Sequence, residues 1–290
     1  MYNIPKVDYS KYSNKQLASI PLALLALALV VIAVWVALTG APANLGLPFV
    51  GGTEVRLAVD ASSPAAAEQQ INQAFGTDPV NIRAVASEDV YVATFQAGSV
   101  DAATIQAEAQ SAGFEVRSIN TVSPSFGANT QQTALTGLAF SFIGMSILVF
   151  LLFRSVVPSV AVVVSAFSDI VVPIAAMNLL GISLNLGTVA ALLMLIGYSV
   201  DSDILLTDHV LRQPGDFIES VHRAMETGVT MTITSLAAMI VLSLTATFFG
   251  IDLLSSIGFV LAIGLATDLL NTYMLNLSLL RWYKTEGVGA

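Results

Sequence analysis

The chain has 290 residues, of which 55% are hydrophobic and only 11% charged, with a mean hydropathy of +0.78. A soluble domain carries about 25% charged residues, so this composition is that of an integral membrane protein. Cysteine is absent, which excludes a disulfide framework, a thiol nucleophile and a cysteine metal site. The net charge of −9 comes without any Lys/Arg-rich run, and the two histidines, His209 and His222, are too few for a histidine metal cluster; nucleic acid is not an expected partner.

A helix needs about 20 apolar residues to cross a hydrocarbon core of about 30 Å. Six stretches meet this: Leu17–Leu38, Ala134–Phe153, Ser155–Met177, Leu184–Leu206, Gly228–Phe249 and Leu253–Leu277. The first has a basic lead (Lys6, Lys11, Lys15), and Ala41-Pro42-Ala43 mimics a cleavage site. Its apolar core exceeds the about 7–15 residues of a signal peptide, so a retained span is expected. Lys and Arg set the orientation. With residues 1–16 and 281–290 inside, the inner segments hold Lys6, Lys11, Lys15, Arg154, Arg212, Arg223, Arg281 and Lys284, whereas the outer turns near Asn178–Ser183 and Gly250–Asp252 hold none. Both termini are therefore expected in the cytoplasm of a multi-pass protein of the cell membrane.

Residues 40–131 form the one soluble domain, placed outside the membrane. In Thr53–Asp60, Val55, Leu57 and Val59 alternate with Glu54, Arg56 and Asp60, the pattern of a half-buried strand. Ser63-Pro64 provides an N-cap with proline at the first helical position, and a helix follows to Phe75. Pro79–Ala86 and Asp89–Gln96 read as strands joined through Ser87-Glu88; a helix over about Val100–Ala112 stops at Gly113, and Phe114–Val122 is the last strand. The order β-α-β-β-α-β suggests an α+β ferredoxin-like fold. The domain has nine acidic residues against three arginines, read as a solvated exterior. It contains no histidine, cysteine or Gly-x-Ser-x-Gly grouping. Phe126–Gln132 reads as a polar linker into the second span.

The fourth span carries the chemistry. Leu192–Leu211 holds Tyr198, Ser199, Asp201, Ser202, Asp203 and Asp208 among apolar residues. Charged groups in a span cost a few kcal/mol each and mark ion paths, proton relays or helix pairing. At 100° per residue Asp201 and Asp203 point about 200° apart, so they form no dyad on their own helix. One acid faces the chain's own bundle and the other a partner, on this reading. Burial in hydrocarbon favours the neutral form of a lone carboxyl, and a group that takes and releases a proton as its surroundings wet is what a relay requires. The bland alternative is that each acid accepts from a serine, threonine or backbone donor of a neighbouring helix. Asp169, one turn before Pro173 in the third span, reads equally as a part of the polar track or as a helix-to-helix hydrogen bond; Asp268 with Asn271 in the sixth reads as a packing pair. Asp252 at the outer turn reads as solvated. Span 5 offers Thr227-Gly228, Thr230, Thr232, Thr234 and Ser235, a small-residue seam for close helix approach, with Thr230 or Thr234 donating to Asp201 or Asp203. Gly137, Gly144, Gly258 and Gly264 also suit close packing. In the inner loop 208–226, Pro214-Gly215-Asp216 signals a helix start, and Phe217–Met225 is amphipathic, as for a helix lying along the membrane interface.

Two motifs carry a resemblance: Phe49-Val50-Gly51-Gly52-Thr53 at the edge of the first strand, and Ile196-Gly197-Tyr198-Ser199-Val200-Asp201 followed by Ser202-Asp203-Ile204-Leu205-Leu206. With one outer domain after the first of six spans, the chain resembles the SecF family, Sec protein-export subunits of the RND superfamily, over nearly its whole length. The Val-Asp-Ser-Asp form is more similar to the archaeal branch. Departures from the bacterial pattern are Leu47-Pro48 before Phe49, Asp201-Ser202-Asp203 where bacteria have Asn-Asp-Thr, and Thr230 where they have an arginine. The resemblance implies half of an RND-type transporter, a SecD partner, a place beside the SecYEG channel, a translocating polypeptide as client, and the proton gradient as energy source. Together with the residue-level reading, this leaves Asp201, Asp203, Asp169 and Thr230 as relay candidates and Tyr198, Ser199, Ser202, Thr234 and Asp268 as the polar seam, while the resemblance itself marks Phe49, Gly51, Gly52 and Thr53 as the family motif.

No Walker A motif is present, since Gly51-Gly52-Thr53 lacks the lysine; neither nucleotide, cofactor nor metal is expected, and the chain is not read as an enzyme. Two alternatives stand beside export. One is a lipid or small-molecule RND exporter, which needs both halves and larger porter domains. The other is an intramembrane aspartyl protease, whose Gly-x-Gly-Asp motif is only approximated by Gly264-Leu265-Ala266-Thr267-Asp268.

Overall fold

The computed structural model describes residues 9–61, 63–77, 79, 81–85, 90–96, 98, 101–213 and 216–285. Lys6, Ser87-Glu88, Pro214-Gly215 and residues 286–290 lie outside them.

The first long helix, α1 (Asn14–Thr39), starts at a capping box in which the Ser13 side chain accepts from Gln16 N, and ends at Gly40 with φ of 77°, a left-handed conformation that glycine adopts without strain. A one-turn helix, α2 (Leu47–Val50), precedes the outer domain. That domain runs β1 (Gly52–Ala58), α3 (Pro64–Ala74), β2 (Asn81–Val85), β3 (Val90–Phe95), α4 (Ala102–Ser111) and β4 (Glu115–Val122). The sheet is antiparallel throughout, in the order β2-β3-β1-β4. Val55, Leu57, Ala93 and Phe95 face Ile71, Phe75, Ile105 and Ala109 to form its core.

Helix α5 (Pro124–Phe153) follows β4 across the single residue Ser123, whose side chain accepts from Phe126 N. Phe126–Gln132, expected as a linker, is therefore helical. Ser123-Pro124 is the same cap-and-proline start as Ser63-Pro64, and the polar residues after it do not interrupt the helix. Next come α6 (Val156–Leu180), with Pro173 inside it, and α7 (Leu186–Arg212), opened by a capping box between Asn185 and Thr188. Helix α8 (Phe217–Phe248) is continuous over 32 residues. The amphipathic piece Phe217–Met225 is thus not a separate interfacial helix: no proline separates it from the span, and Val221, Ala224 and Met225 bury against Leu17, Leu206, Val210, Leu277 and Leu280. The last helix is α9 (Asp252–Leu270), a π-helical turn (Asn271–Asn276) and α10 (Leu277–Thr285) in one run.

Six of these helices are long and apolar enough to cross a membrane. Helices α6, α7 and α9 form the interior: Ala191, Leu192, Leu195, Val260, Leu261 and Leu265 interdigitate. Helix α1 lays Ala28 against Val171, Val172 and Ala175 of α6. At one end of the bundle, cationic side chains cover helix-terminal carbonyls, Arg212 Nη2 donating to Leu152 O at 2.7 Å and Lys284 Nζ to Val210 O at 2.9 Å, which suits the negative end of a helix dipole. Arg281 donates to Tyr9 O, Tyr12 O and Asn14 Oδ1.

The outer domain is tied to the bundle at three places. Leu45 and Leu184 form a parallel bridge, with Gly46 N donating to Leu184 O at 2.8 Å and Leu184 N to Asn44 O at 2.6 Å. The Asn178 side chain donates to Pro42 O and accepts from Asn44 N. The family motif makes the second tie: Phe49 is buried, and a Cβ on Gly127 of α5 would lie 2.8 Å from Phe49 O and 2.9 Å from Gly51 N. Gly51 has φ of 74° and lies against Pro124, so both glycines are dictated by backbone-to-backbone approach. Gly52 continues into β1, and Thr53 Oγ1 meets Thr121 Oγ1 at 3.1 Å. Third, Arg56 lies 3.8 Å from Asp252; the acid expected to be merely solvated faces an arginine of the sheet.

Candidate functional site: a buried carboxyl cluster

Helices α6, α7 and the last helix each contribute one acid to the interior. Asp169, Asp203 and Asp268 are 1%, 0% and 1% exposed. Leaving polar groups so deep is costly unless hydrogen bonds compensate, and the bonds are specific. Asp169 uses both oxygens: Oδ2 accepts from Ser199 Oγ at 2.6 Å and Oδ1 from Asn271 Nδ2 at 2.6 Å. Asp203 Oδ1 accepts from Thr272 Oγ1 and Asn276 Nδ2, each at 2.8 Å. Asp268 Oδ1 accepts from Ser202 Oγ at 2.8 Å and from Thr272 Oγ1 at 3.2 Å.

The π turn Asn271–Asn276 makes this convergence possible. Closing the backbone i→i+5 widens the helix and brings residues five apart toward one side. Asn271 thereby reaches Asp169 on α6 while Asn276, one wide turn later, reaches Asp203 on α7. Asn271, Thr272 and Asn276 are fully buried.

Donors are scarce. Thr272 has one hydroxyl proton but lies within bonding distance of both Asp203 and Asp268; Ser202 has one proton and faces both Ser199 O and Asp268. Asp203 Oδ2, Asp268 Oδ2, Asn271 Oδ1 and Asn276 Oδ1 are buried without a hydrogen bond of good geometry, as are the hydroxyls of Ser165, Ser168, Thr207 and Tyr273, of which Ser165 interacts with Asp203. Among the described residues, the ion pairs formed involve none of the three acids. Nor do any three His, Cys, Asp or Glu side chains among the described residues converge as for a metal ion.

The other expected site residues fall elsewhere. Asp201 is exposed on the outer side of α7, so the two acids of this helix do point opposite ways. Tyr198, 41% exposed, shares a 2.6 Å hydrogen bond with Ser235 of α8. Thr230 and Thr234 do not reach Asp201 or Asp203: Thr230 Oγ1 donates to Glu226 O, and Thr234 Oγ1 to Thr230 O and Met231 O, all on their own helix. Both are exposed, because the helix turns its Thr232 face inward instead. Asp268 is not paired with Asn271; the π turn diverts Asn271 to Asp169. Of the glycines expected to allow close packing, Gly264 abuts Leu195 and Gly258 the backbone of Ser243, but Gly137 and Gly144 have nothing within 4 Å. Sequence reasoning missed Thr272 and Asn276. Their signal was present as two more amide or hydroxyl side chains in an apolar span, but a 3.6-residue period does not bring out an i, i+5 relation.

Comparison with known proteins gives the same architecture. The family model described as "Protein export membrane protein SecD/SecF, C-terminal" matches residues 102–286. The chain is 61% identical over 287 residues to the protein-export membrane protein SecF of Haloferax volcanii, covering 99% of this chain and 98% of that relative. It is 57% identical over 290 residues to the SecF of Haloquadratum walsbyi, covering 99% and 98%, and 34% identical over 278 residues to that of Methanocaldococcus jannaschii, covering 92% and 95%. Among solved structures, the crystal structure of SecDF, a translocon-associated membrane protein from Thermus thermophilus, shares the fold with a TM-score of 0.76 at 20% identity. The match covers 99% of this chain and 40% of that one. With a family match over more than half its length and relatives of this identity along nearly all of it, the chain belongs to the SecD/SecF family of protein-export membrane proteins, among the SecF proteins.

Proposed function

We propose that this protein is an auxiliary subunit of Sec protein export, assisting the passage of polypeptides across the cell membrane, and that an ion gradient drives it through the Asp169–Asp203–Asp268 cluster. The observation that carries the coupling is the burial of three carboxyls without a basic counter-group among their hydrogen-bond partners. Groups so costly to keep in a membrane interior are kept for ions or protons. The relatives, protein-export membrane proteins, support the export role.

The partner is a SecD-type subunit, assembled beside the SecYEG channel. The SecDF chain of Thermus thermophilus supports this, since the present chain matches only 40% of its length, and transporters built from two related halves place their ion sites near the interface. Asp201, exposed on α7, faces that partner on this reading, while Asp203 serves the chain's own bundle. The outer domain is ferredoxin-like, a reading supported by its βαββαβ order and its β2-β3-β1-β4 antiparallel sheet; it handles the emerging chain. Both termini lie in the cytoplasm by the distribution of Lys and Arg.

Two measurements test the reading. Purification from native membranes yields a SecD-type subunit with this chain; self-association alone favours a lipid or small-molecule exporter instead. Export into vesicles carrying the complex falls when the ion gradient is collapsed, and a rate indifferent to the gradient refutes coupling.

A further inference from the structure

Between the carboxyl cluster and the end of the bundle that carries Arg212, Arg281 and Lys284 lies an apolar layer. On α7 it begins one turn beyond Asp203: Leu206 and Val210 stand about 4.5 and 10 Å further along the axis at about 1.5 Å per residue. On the last helix Leu277 follows Asn276 directly, with Leu280 a turn later, and all four are fully buried. One member of the layer does not come from a span. Tyr9, in the short turn Tyr9–Lys11 ahead of α1, is buried in it, its hydroxyl donating to Met225 Sδ at 3.3 Å. Arg281 fastens that turn, donating to Tyr9 O at 2.9 Å, to Tyr12 O at 2.7 Å and to Asn14 Oδ1. Tyr273 belongs to the same layer. Its buried hydroxyl has no hydrogen bond of good geometry and leaves no room for a Cβ on Gly228. It interacts electrostatically with Tyr9 as well as with Asp203 and Asp268.

We infer that residues Tyr9–Asn14 are a strap that gates the entry of water to the carboxyl cluster from the inner side, with Arg281 as its latch and Tyr273 as the polar group it covers. The spans bury long continuous faces against one another. The strap is held by hydrogen bonds to two carbonyls and an amide, and by a phenol-to-sulfur bond that is weak because a thioether is a poor acceptor. Segments with few buried contacts open at the low end of a protein's range of stabilities, so Tyr9 leaves while the spans stay packed. Its departure takes one ring out of the layer and lets water reach the Tyr273 hydroxyl, a buried polar group that water satisfies. Latch and cluster are linked mechanically. Arg281 rides on the same helical run, Asp252–Thr285, as Asn271, Thr272 and Asn276, so a displacement of that run which disturbs the hydrogen bonds of the acids also moves the latch.

The service of the gate to export rests on the coupling reading above; the gate itself does not. Because the chain has no native cysteine, single cysteines report access. Leu206→Cys, one turn beyond Asp203, and Leu192→Cys, buried toward the other end of α7, are placed in the full-length protein in inside-out membrane vesicles. The rate of modification by a small charged thiosulfonate reagent added at the inner face is then measured. The Leu206→Cys thiol is expected to react slowly. Arg281→Ala or Tyr9→Ala raises its rate by about tenfold or more, the scale of losing hydrogen bonds to a charged group, whereas Tyr9→Phe keeps the ring and leaves the rate near its starting value. Arg212→Ala, which uncovers Leu152 O at the same end, does not raise it either. A thiol that is already fast beneath the unaltered strap, or that neither Arg281→Ala nor Tyr9→Ala accelerates, overturns the gate. So does a rise shared by Arg212→Ala or by the Leu192→Cys thiol, which reports loosening of the whole bundle. A gate that opens as expected beside export indifferent to the gradient upholds the strap and overturns the coupling reading instead.

Discussion

Asp203 and Asp201 sit two positions apart, the first buried in the bundle and the second exposed. Asp203→Asn removes the ionisable group while keeping Oδ1 as an acceptor for Thr272 and Asn276; gradient-dependent export is expected to be lost with the protein still assembled, as read by vesicle export beside co-purification. Asp169→Ala acts on stability instead. It strands the Ser199 hydroxyl and the Asn271 amide, and each buried donor left unpaired costs about 1–3 kcal/mol, which thermal unfolding in detergent measures against wild type. A third effect lies outside the spans. The Tyr9 hydroxyl donates to Met225 Sδ at 3.3 Å, and burial pushes its phenol from 10.0 to about 12. With the folded pKa raised, its contribution is fully present below pH 10 and is lost as pH climbs through 12. Tyr9→Phe is therefore expected to flatten the fall of the unfolding midpoint over that alkaline window, by at most about 2–3 kcal/mol. An unchanged slope refutes the assignment.

Among elements, the junction of the family motif with α5 is the most demanding. A side chain on Gly127 meets backbone atoms of Phe49 and Gly51 at 2.8 and 2.9 Å, and backbone does not move aside as a side-chain tip does. Gly127→Val is expected to lose about 1–3 kcal/mol or more and to expose the outer domain to protease, whereas Gly137→Ala on the same helix is neutral. Limited proteolysis of the two variants side by side decides it. This is also where sequence reading shows its reach. The spans were legible because about 20 apolar residues have few other uses, and Val55, Leu57 and Val59 announced an inward face through strict alternation. The start of α5 was legible in principle, from a serine and proline like those opening α3, but the polar run Asn129–Gln132 hid it. The acids stood out by their cost in a membrane; their partners did not. Thr230 and Thr234 have the right chemistry on the wrong face of α8, and Asn276 has the right face only because the backbone leaves the α-helical period at Asn271.

For the molecule as a whole, the outer domain and bundle are expected to behave as one body near the turn between α6 and α7. The bridge between Leu45 and Leu184 and the bonds of Asn178 hold the segment 42–46 there. Because the chain has no native cysteine, paired cysteines give a clean readout. Leu45→Cys with Leu184→Cys is expected to form a disulfide in native membranes on mild oxidation, as paired strands lie within its reach; failure to cross-link means the two parts separate in the membrane. The Arg56–Asp252 pair is a weaker tie. At 3.8 Å and more than a third exposed on both sides, it belongs to the class worth about 0–1 kcal/mol, so Arg56→Glu leaves stability nearly unchanged.

Only Ser123 separates the last residue of β4 from the first of α5, and its side chain is fastened to Phe126 N. There is no slack in such a coupling. A swivel of the sheet is expected to turn α5, a span that borders α7, along with it, whereas α1 feeds the domain through a longer, glycine-ended lead. The outer domain is thus joined to α5 by a stiff crank and to α1 by a lead that the Leu45–Leu184 bridge and Asn178 moor to the turn between α6 and α7, and a rotation of the domain is expected to reach the spans first through α5.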